Sequence, residues 1–140
     1  MKLVLDTDIF VSAFFRGGNP QKIIDRIIEG MDELFISNEI LNEVAAVMLR
    51  PKFKTEGEII DKYIHAIEKI GKKVYITGKV KGVCRDKEDD DKIECGLLSD
   101  ADYLITGDDD LLILGNYQKI KIITIKEYIK IIRDETLCKR

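Results

Sequence analysis

The chain has 140 residues, of which 45% are hydrophobic and 35% charged, and its formal net charge is −3. This length is typical of one domain, and the composition excludes collagen-like, coiled-coil and disordered chains. One histidine, and three cysteines with no CxxC pair, exclude a zinc site of the usual kind, so carboxylates, lysines and hydroxyls must carry any chemistry.

The predicted elements alternate along the chain between short β-prone runs and apolar residues at helical spacing. In the first half of the chain we predict strands at 2–5 and 33–36, with helices at 9–15, 23–28, 40–48 and 58–67. In the second half we predict strands at 73–76, 103–106 and 120–123, with helices at 91–98, 108–114 and through 128–132. A turn at residues 17–20 and a loop at 78–87 connect neighbouring elements. Ser37 and Asn38 are candidate N-caps for the third helix, and two capping boxes, Thr55-x-x-Glu58 and Thr124-x-x-Glu127, mark later helix starts.

Five strands interleaved with helices predict an α/β fold with a parallel sheet that is covered on both faces. We expect a single domain over residues 1–140, with a core at 1–126 and a C-terminal helix and tail at 127–140. No apolar stretch approaches the roughly 18 residues that span a bilayer, and no signal-like segment begins the chain. The sequence therefore predicts a cytoplasmic protein without a membrane partner.

The charges are unevenly distributed along the chain. Between Asp86 and Asp110 eleven acids accompany two lysines, a local balance of −9, whereas the remaining residues carry +6. A cationic remainder of this kind is compatible with a polyanionic partner.

Several acids fall where a parallel sheet places its ligands, outside the carboxyl ends of the strands. They follow the first strand, lie on the helix after the second strand, and precede and follow the fourth strand: Asp6, Asp8, Glu43, Asp89 to Asp91 and Asp108. Because like charges repel, clustered carboxylates need cations, and oxygen ligands suit Mg²⁺ or Mn²⁺. A pair of such ions about 4 Å apart can activate water and stabilise both oxygens of an in-line phosphodiester displacement. The pattern therefore predicts a site for Mg²⁺ or Mn²⁺ and is compatible with phosphodiester hydrolysis.

Four segments of the chain resemble successive motifs of the PIN-domain nucleases. They are residues 3–13 (LVLDTDIFVSA), the helix start at 37–44, the run at 85–92 (RDKEDDDK) and residues 101–112 (ADYLITGDDDLL). Their order and spacing also match, from about residue 2 to residue 126. Within the family the chain is most similar to relatives of VapC-type toxins. The resemblance implies a Rossmann-like α/β/α sandwich with a central parallel sheet of about five strands.

The resemblance also implies the residues of the site. Asp6, Glu43, Asp91 and Asp108 match the acidic quartet that binds Mg²⁺ or Mn²⁺, and Asp110 matches an accessory metal acid. The third motif is one residue longer than the family pattern, so Asp89 and Asp90 are alternatives to Asp91. We favour Asp91 because it precedes Lys92 and Ile93 as the family's acid precedes its helix.

Three further residues have supporting positions in the resemblance. Thr7 follows the first acid, and Thr106 matches a hydroxyl that supports the acid after the fourth strand. Asp8 stands where the family usually has asparagine, and it either strengthens metal binding or caps the helix.

The function that the resemblance implies is that of a metal-dependent endoribonuclease, in which carboxylates hold the metal and activated water attacks the phosphodiester. Its implied partners are an RNA substrate, an antitoxin protein and a second copy in a homodimer. One alternative is a catalytically weak PIN module that binds RNA or protein. Another is a haloacid-dehalogenase-like phosphatase with Asp6 as nucleophile, although that family disfavours Phe10 and would leave Glu43 and Asp91 without roles.

Overall fold

The computed structural model describes residues 1–138, so the end of the predicted tail, at 139–140, lies outside the described residues. Within this range the strands are β1 (Lys2–Leu5), β2 (Glu33–Ile36), β3 (Gly71–Lys73), β4 (Tyr103–Ile105), β5 (Asn116–Tyr117) and β6 (Ile120–Ile123). The helices are α1 (Thr7–Arg16), α2 (Gly18–Ile28), α3 (Asn38–Met48), α4 (Gly57–Ile70), α5 (Lys87–Ser99), α6 (Asp109–Leu112) and α7 (Ile125–Cys138), with a 3₁₀ turn at Pro51–Phe53.

The strands form one sheet in the order β3-β2-β1-β4-β6-β5. All neighbouring pairs are parallel except β5 with β6. Leu3 on β1 lies opposite Leu34 on β2 and Tyr103 on β4, so β1 is central. From β1 the chain adds strands on one side as far as β3, and then returns to the other side at β4. The direction of winding therefore reverses between β1 and β4, where open α/β sheets bind their ligands.

The core occupies both faces of the sheet. Leu3, Val4 and Leu5 are consecutive residues of β1, and each is at most 1% exposed. Because successive side chains on a strand point to opposite faces, helices must cover the sheet on both sides. The predicted α/β fold is confirmed. None of the helices between residues 1 and 138 is both long and apolar enough to cross a membrane.

The sheet differs from the prediction in its number of strands, in the bounds of the third strand, and by one residue at the end of β4, which closes at Ile105 rather than at 106. It has six strands rather than about five, because the short β5 pairs with β6 as a hairpin. Two residues are too few to produce a recognisable alternation in the sequence. The third strand occupies residues 71–73 rather than 73–76, because α4 runs directly into it at Gly71. A Cβ at Gly71 would lie 3.0 Å from Cδ1 of Ile36, so glycine permits this strand to approach β2 closely.

The helix starts also test the predicted caps. Ser37 caps α3 by accepting from the backbone N–H of Ile40, and Thr124 and Glu127 form the predicted reciprocal box at α7. The box at Thr55 is wrong, because the Thr55 hydroxyl donates to the Phe53 carbonyl and α4 begins only at residue 57.

The predicted turn at residues 17–20 is also wrong beyond its first residue. Gly18 already begins α2, whose first turn accommodates a proline without losing a hydrogen bond.

Candidate active site

The first pair of acids lies at the adjacent carboxyl ends of β1 and β4. Asp6 caps α1, since its Oδ1 accepts from the backbone N–H of Thr7 at 2.7 Å. Asp108 caps α6 in the same way, accepting from the N–H of Asp110 at 2.9 Å. The buried hydroxyl of Thr106 donates to Asp6 Oδ2 at 2.5 Å and accepts from the Asp108 N–H at 2.9 Å. One threonine therefore fixes both acids.

Two helices bring further acids to the same edge of the sheet. Glu43 lies on α3 after β2, and Asp89 lies in the first turn of α5. Together with the strand-end residues they line a cleft of about 300 Å³. The lining consists of Asp6, Thr7, Asp8, Glu43, Val47, Arg50, Asp86, Glu88, Asp89, Lys92, Gly107 and Asp108. The structure thus assembles acids that lie far apart in the sequence into one cleft.

A buried lysine lies among these acids. The Lys92 side chain is 3% exposed, and its Nζ lies 2.7 Å from Asp6 Oδ1. The same ammonium is 3.2 Å from the Glu43 carboxylate and 3.4 Å from Asp89 Oδ1. Burial alone would lower the pKa of Lys92, but the charges of Asp6, Glu43 and Asp89 outweigh burial and raise it. The lysine is therefore a permanent cation within the cleft.

The three consecutive acids at the start of α5 have different environments. Asp89 lines the cleft, whereas Asp90 accepts from the backbone N–H groups of Gly82 and Cys84, at 3.0 and 2.7 Å. Asp91 is buried outside the cleft, and burial raises its pKa. The predicted helix start was wrong by four residues, because α5 begins at Lys87 rather than at residue 91. At 3.6 residues per turn, Asp91 points about 200° away from Asp89.

Asp8 belongs to the cleft, but it does not cap the helix. The cap of α1 is Asp6, while Asp8 Oδ2 accepts from the backbone N–H of Gly107 at 3.2 Å. A Cβ at Gly107 would lie 2.7 Å from this oxygen, so glycine makes the contact possible. Displacement of water by surrounding protein, together with the charge of Asp6, raises the pKa of Asp8 to about 6.

Two other residues from the sequence analysis contribute less directly. The carboxylate of Asp110 is absent from the cleft lining, although its N–H is bound by Asp108. Thr7 is buried beside Asp6, and its Oγ1 has no hydrogen-bond partner among the described residues.

The donor atoms of the cleft suit a hard divalent cation. Asp89 is 4% exposed, and its Oδ2 has no hydrogen-bond partner among residues 1–138. The pKa of Asp89 is raised to about 6, mainly because the carboxylate is buried. An unpartnered buried carboxylate oxygen is costly unless a cation or donor compensates it. In the described chain no three carboxylate, imidazole or thiol groups converge as a ready-made metal site, and Lys92 stands among the acids. The oxygen donors nevertheless fit Mg²⁺ or Mn²⁺.

A second groove, of about 530 Å³, lies on the other side of the start of α5. Its lining includes Lys81, Arg85 and Lys87, whereas Asp86 and Glu88 line the acidic cleft. The segment from 85 to 90 therefore forms a ridge between a cationic groove and an acidic cleft. The loop that forms the groove is held to α5 by Asp90, and by the buried Glu94, which accepts from the N–H groups of Thr77 and Val80 at 2.6 and 3.2 Å.

Sequence analysis did not identify Lys92, Arg50 or the cationic groove. A signal for Lys92 was present, because a residue three positions after Asp89 on a helix lies on the same face. It could be recognised only with the correct helix start. No sequence signal pointed to Arg50, which reaches the cleft from the residues that follow α3.

Comparison with known proteins gives consistent matches. The family described as PIN domain matches residues 2–110. The uncharacterized protein MJ1680 of Methanocaldococcus jannaschii is 33% identical over 144 aligned residues, which cover 93% of this chain and 90% of that protein. A solved structure, VapBC2 from Rickettsia felis bound to a DNA fragment from its promoter, superimposes with a TM-score of 0.64 at 13% identity, covering 89% of this chain and 98% of that one. The structural similarity confirms the expected fold.

Proposed function

This chain belongs to the PIN domain family, and we propose that it is a ribonuclease dependent on Mg²⁺ or Mn²⁺ that acts in the cytoplasm. The observation that carries the proposal is the cleft itself. Four separate elements deliver Asp6, Glu43, Asp89 and Asp108 to it, and a buried oxygen of Asp89 is left without a partner. Lys92 compensates part of this charge, but the unpartnered Asp89 oxygen is costly without a further cation or donor, which favours a binding role over a purely structural one.

In the proposed mechanism the carboxylates act as ligands and not as nucleophiles. The acid set is Asp6, Glu43, Asp89 and Asp108, so Asp89 replaces Asp91 as the third acid. When bound, Mg²⁺ or Mn²⁺ supplies a Lewis acid that activates water and offsets charge on the phosphodiester. Thr106 orients Asp6 and Asp108 through its hydroxyl, while Arg50 at the cleft provides a cationic partner for a phosphate oxygen.

The cationic groove supports a polyanionic strand as the substrate. Lys81, Arg85 and Lys87 line it directly across the ridge from the cleft. Phosphates of the strand that lie outside the reacting position would be attracted there, while the reacting phosphate lies in the cleft. We propose that the strand is RNA, as in the ribonucleases that this chain resembles.

We further propose that the chain is the toxin of a toxin–antitoxin pair. The solved structure with the same fold carries the name VapBC2 and is bound to promoter DNA. An antitoxin that covers the acidic cleft would suppress the activity, and the toxin itself would form a homodimer. The whole chain, including the C-terminal helix and tail at 127–140, would act as a single domain.

A second candidate function is a PIN module that binds RNA without cutting it. The observation that favours it is the Lys92 ammonium, which already neutralises part of the acid cluster. The phosphatase alternative has less support, because the chain belongs to the PIN family and both carboxylate oxygens of Asp6 are engaged by other groups.

The proposal is tested by incubating the purified chain with end-labelled structured RNAs in Mn²⁺, Mg²⁺ or EDTA. We expect cutting with either metal, none in EDTA, and loss of cutting in Asp108→Asn. Asp109→Asn is the matched control, since this neighbouring acid is exposed and outside the cleft lining. RNA that is retained in gel shifts by a folded, metal-loaded chain but never cut would favour the binding module.

A further inference from the structure

The buried cation of the cleft is a feature that the proposed function does not explain. Lys92 is anchored on α5, and its ammonium contacts carboxylates from three elements: Asp6 after β1, Glu43 on α3 and Asp89 on α5 itself. These acids are three of the four that the proposed function assigns to metal binding. The ammonium lies 2.7 to 3.4 Å from oxygens of these three carboxylates, so its charge compensates theirs.

Both carboxylate oxygens of Asp6 already accept hydrogen bonds. Its Oδ1 accepts from the Thr7 N–H as well as from Lys92, and its Oδ2 accepts from Thr106. A metal ion bound through Asp6 and Glu43 would have to displace the ammonium from a position that is 3% exposed. Within the cleft the displaced ammonium would remain close to the ion and repel it.

The carboxylates of Asp89, Asp8 and Asp108 are engaged less fully by Lys92 than that of Asp6. Asp89 Oδ2 has no hydrogen-bond partner among the described residues, and Lys92 makes no ion pair with Asp8 or Asp108. Both of these residues line the same cleft as Asp89. Asp89 Oδ2 and the carboxylates of Asp8 and Asp108 are therefore cleft oxygens that Lys92 does not pair with, although Asp8 Oδ2 and Asp108 Oδ1 each accept a backbone N–H.

From this geometry we infer that Lys92 serves as a built-in second cation, so that the cleft binds one divalent metal ion per chain rather than a pair. The inference rests on the proposed function, because it assigns the acids of the cleft to metal binding. It makes Lys92 a positioning residue, which keeps Asp6 and Glu43 in place without an ion of their own.

The test is the number of Mn²⁺ ions bound per chain, measured by equilibrium dialysis with metal analysis and by electron paramagnetic resonance. The wild type should bind one Mn²⁺ per chain and give the six-line spectrum of an isolated ion. Lys92→Met removes the ammonium and keeps a similar length, so it should bind two and give the broadened spectrum of a coupled pair. Lys62→Met is the control, since its side chain is 77% exposed on α4, and it should bind one.

Two ions per wild-type chain, or one in a folded Lys92→Met chain, would overturn the inference. If Lys92→Met does not fold, the wild-type count and spectrum decide alone, because a coupled pair in the wild type contradicts a built-in second cation. Absence of Mn²⁺ binding by the wild type would also overturn it. RNA cleavage is scored separately: one bound Mn²⁺ without any cutting refutes the ribonuclease and leaves the single-ion site intact.

Discussion

Thr106 Oγ1 lies 2.5 Å from Oδ2 of Asp6, a residue that precedes it by 100 positions. The hydroxyl donates to this carboxylate and also accepts from the backbone N–H of Asp108. Because β1 and β4 are parallel neighbours, a short side chain at the end of one strand reaches the acid that ends the other. The two acids are therefore held in position by the protein itself.

Thr106→Val tests this positioning role. Valine has nearly the same shape but cannot hydrogen-bond, so two buried polar groups lose their partner, at a cost of about 1–3 kcal/mol in the free energy of unfolding. Affinity for Mn²⁺ should fall as well, because Asp6 and Asp108 are no longer held. Urea denaturation and Mn²⁺ titration measure the two effects. Thr106→Ser keeps the hydroxyl and should recover most of both, whereas equal losses in the serine and valine variants would contradict the role.

Glu94→Gln tests how the loop of the cationic groove is held. Glu94 is 2% exposed and accepts from the N–H groups of Thr77 and Val80. The pKa of Glu94 is lowered, because these hydrogen bonds outweigh the effect of burial. A glutamine turns an NH₂ toward one of the N–H groups, so we expect a loss of about 1–3 kcal/mol.

Hydrogen exchange should show where this loss occurs. The amides of Thr77 and Val80 should exchange faster in Glu94→Gln, while those of β1 should change less, because the loop opens without the sheet. Glu58→Gln is the control, since that side chain is 78% exposed. Unchanged exchange at Thr77 and Val80 would show that the contacts do not hold the loop.

Asp32→Asn tests a buried ion pair remote from the cleft. Asp32 accepts from Arg26 Nε at 2.9 Å and from the Tyr128 hydroxyl at 2.6 Å. Burial would raise the pKa of Asp32, but these hydrogen bonds and one from the N-terminal ammonium outweigh it and hold the pKa below its ordinary value. Disrupting a buried, hydrogen-bonded carboxylate should cost about 2–4 kcal/mol at neutral pH.

The sign of the pH dependence follows from the lowered pKa. The contribution of the Asp32 charge is fully present above the unfolded-state pKa and is lost as the pH falls through the lower, folded-state value. The stability difference between wild type and Asp32→Asn should therefore be constant from about pH 5 to 7 and shrink below about pH 4. Denaturation midpoints across this range measure it, with the exposed Asp25→Asn as control. A difference that grows in acid would contradict the assignment.

Much of the architecture could be predicted from the sequence. The strands at 2–5, 33–36 and 120–123 are apolar or β-branched runs bounded by clear breaks, and they occur as predicted. Asp6 and Asp108 could be placed at the cleft from the sequence because Asp6 directly follows β1 and Asp108 comes three residues after the end of β4. The two-residue β5 could not be predicted, since its pairing with β6 depends on a tertiary hairpin and leaves no periodic pattern.

The acids at the start of α5 show why the residues that line the cleft could not all be predicted. Asp89, Asp90 and Asp91 are identical in type and adjacent, so only the helix register separates their roles. That register depends on where α5 begins, and the polar sequence at 87–91 hides the start of the helix. Asp90 and Glu94 are buried carboxylates that accept hydrogen bonds from backbone N–H groups of a loop. The sequence alone does not reveal partners of this kind.

The most direct test of the account compares Asp89→Asn with Asp91→Asn in the cleavage of labelled RNA with Mn²⁺. Both variants change one buried acid of α5 to its amide, but only Asp89 lines the cleft. We predict that Asp89→Asn lowers the cleavage rate by more than about tenfold, which corresponds to about 1.4 kcal/mol, whereas folded Asp91→Asn cuts at nearly the wild-type rate. Loss of cleavage in Asp91→Asn with retention in Asp89→Asn, or no cleavage by the wild type, would contradict the account.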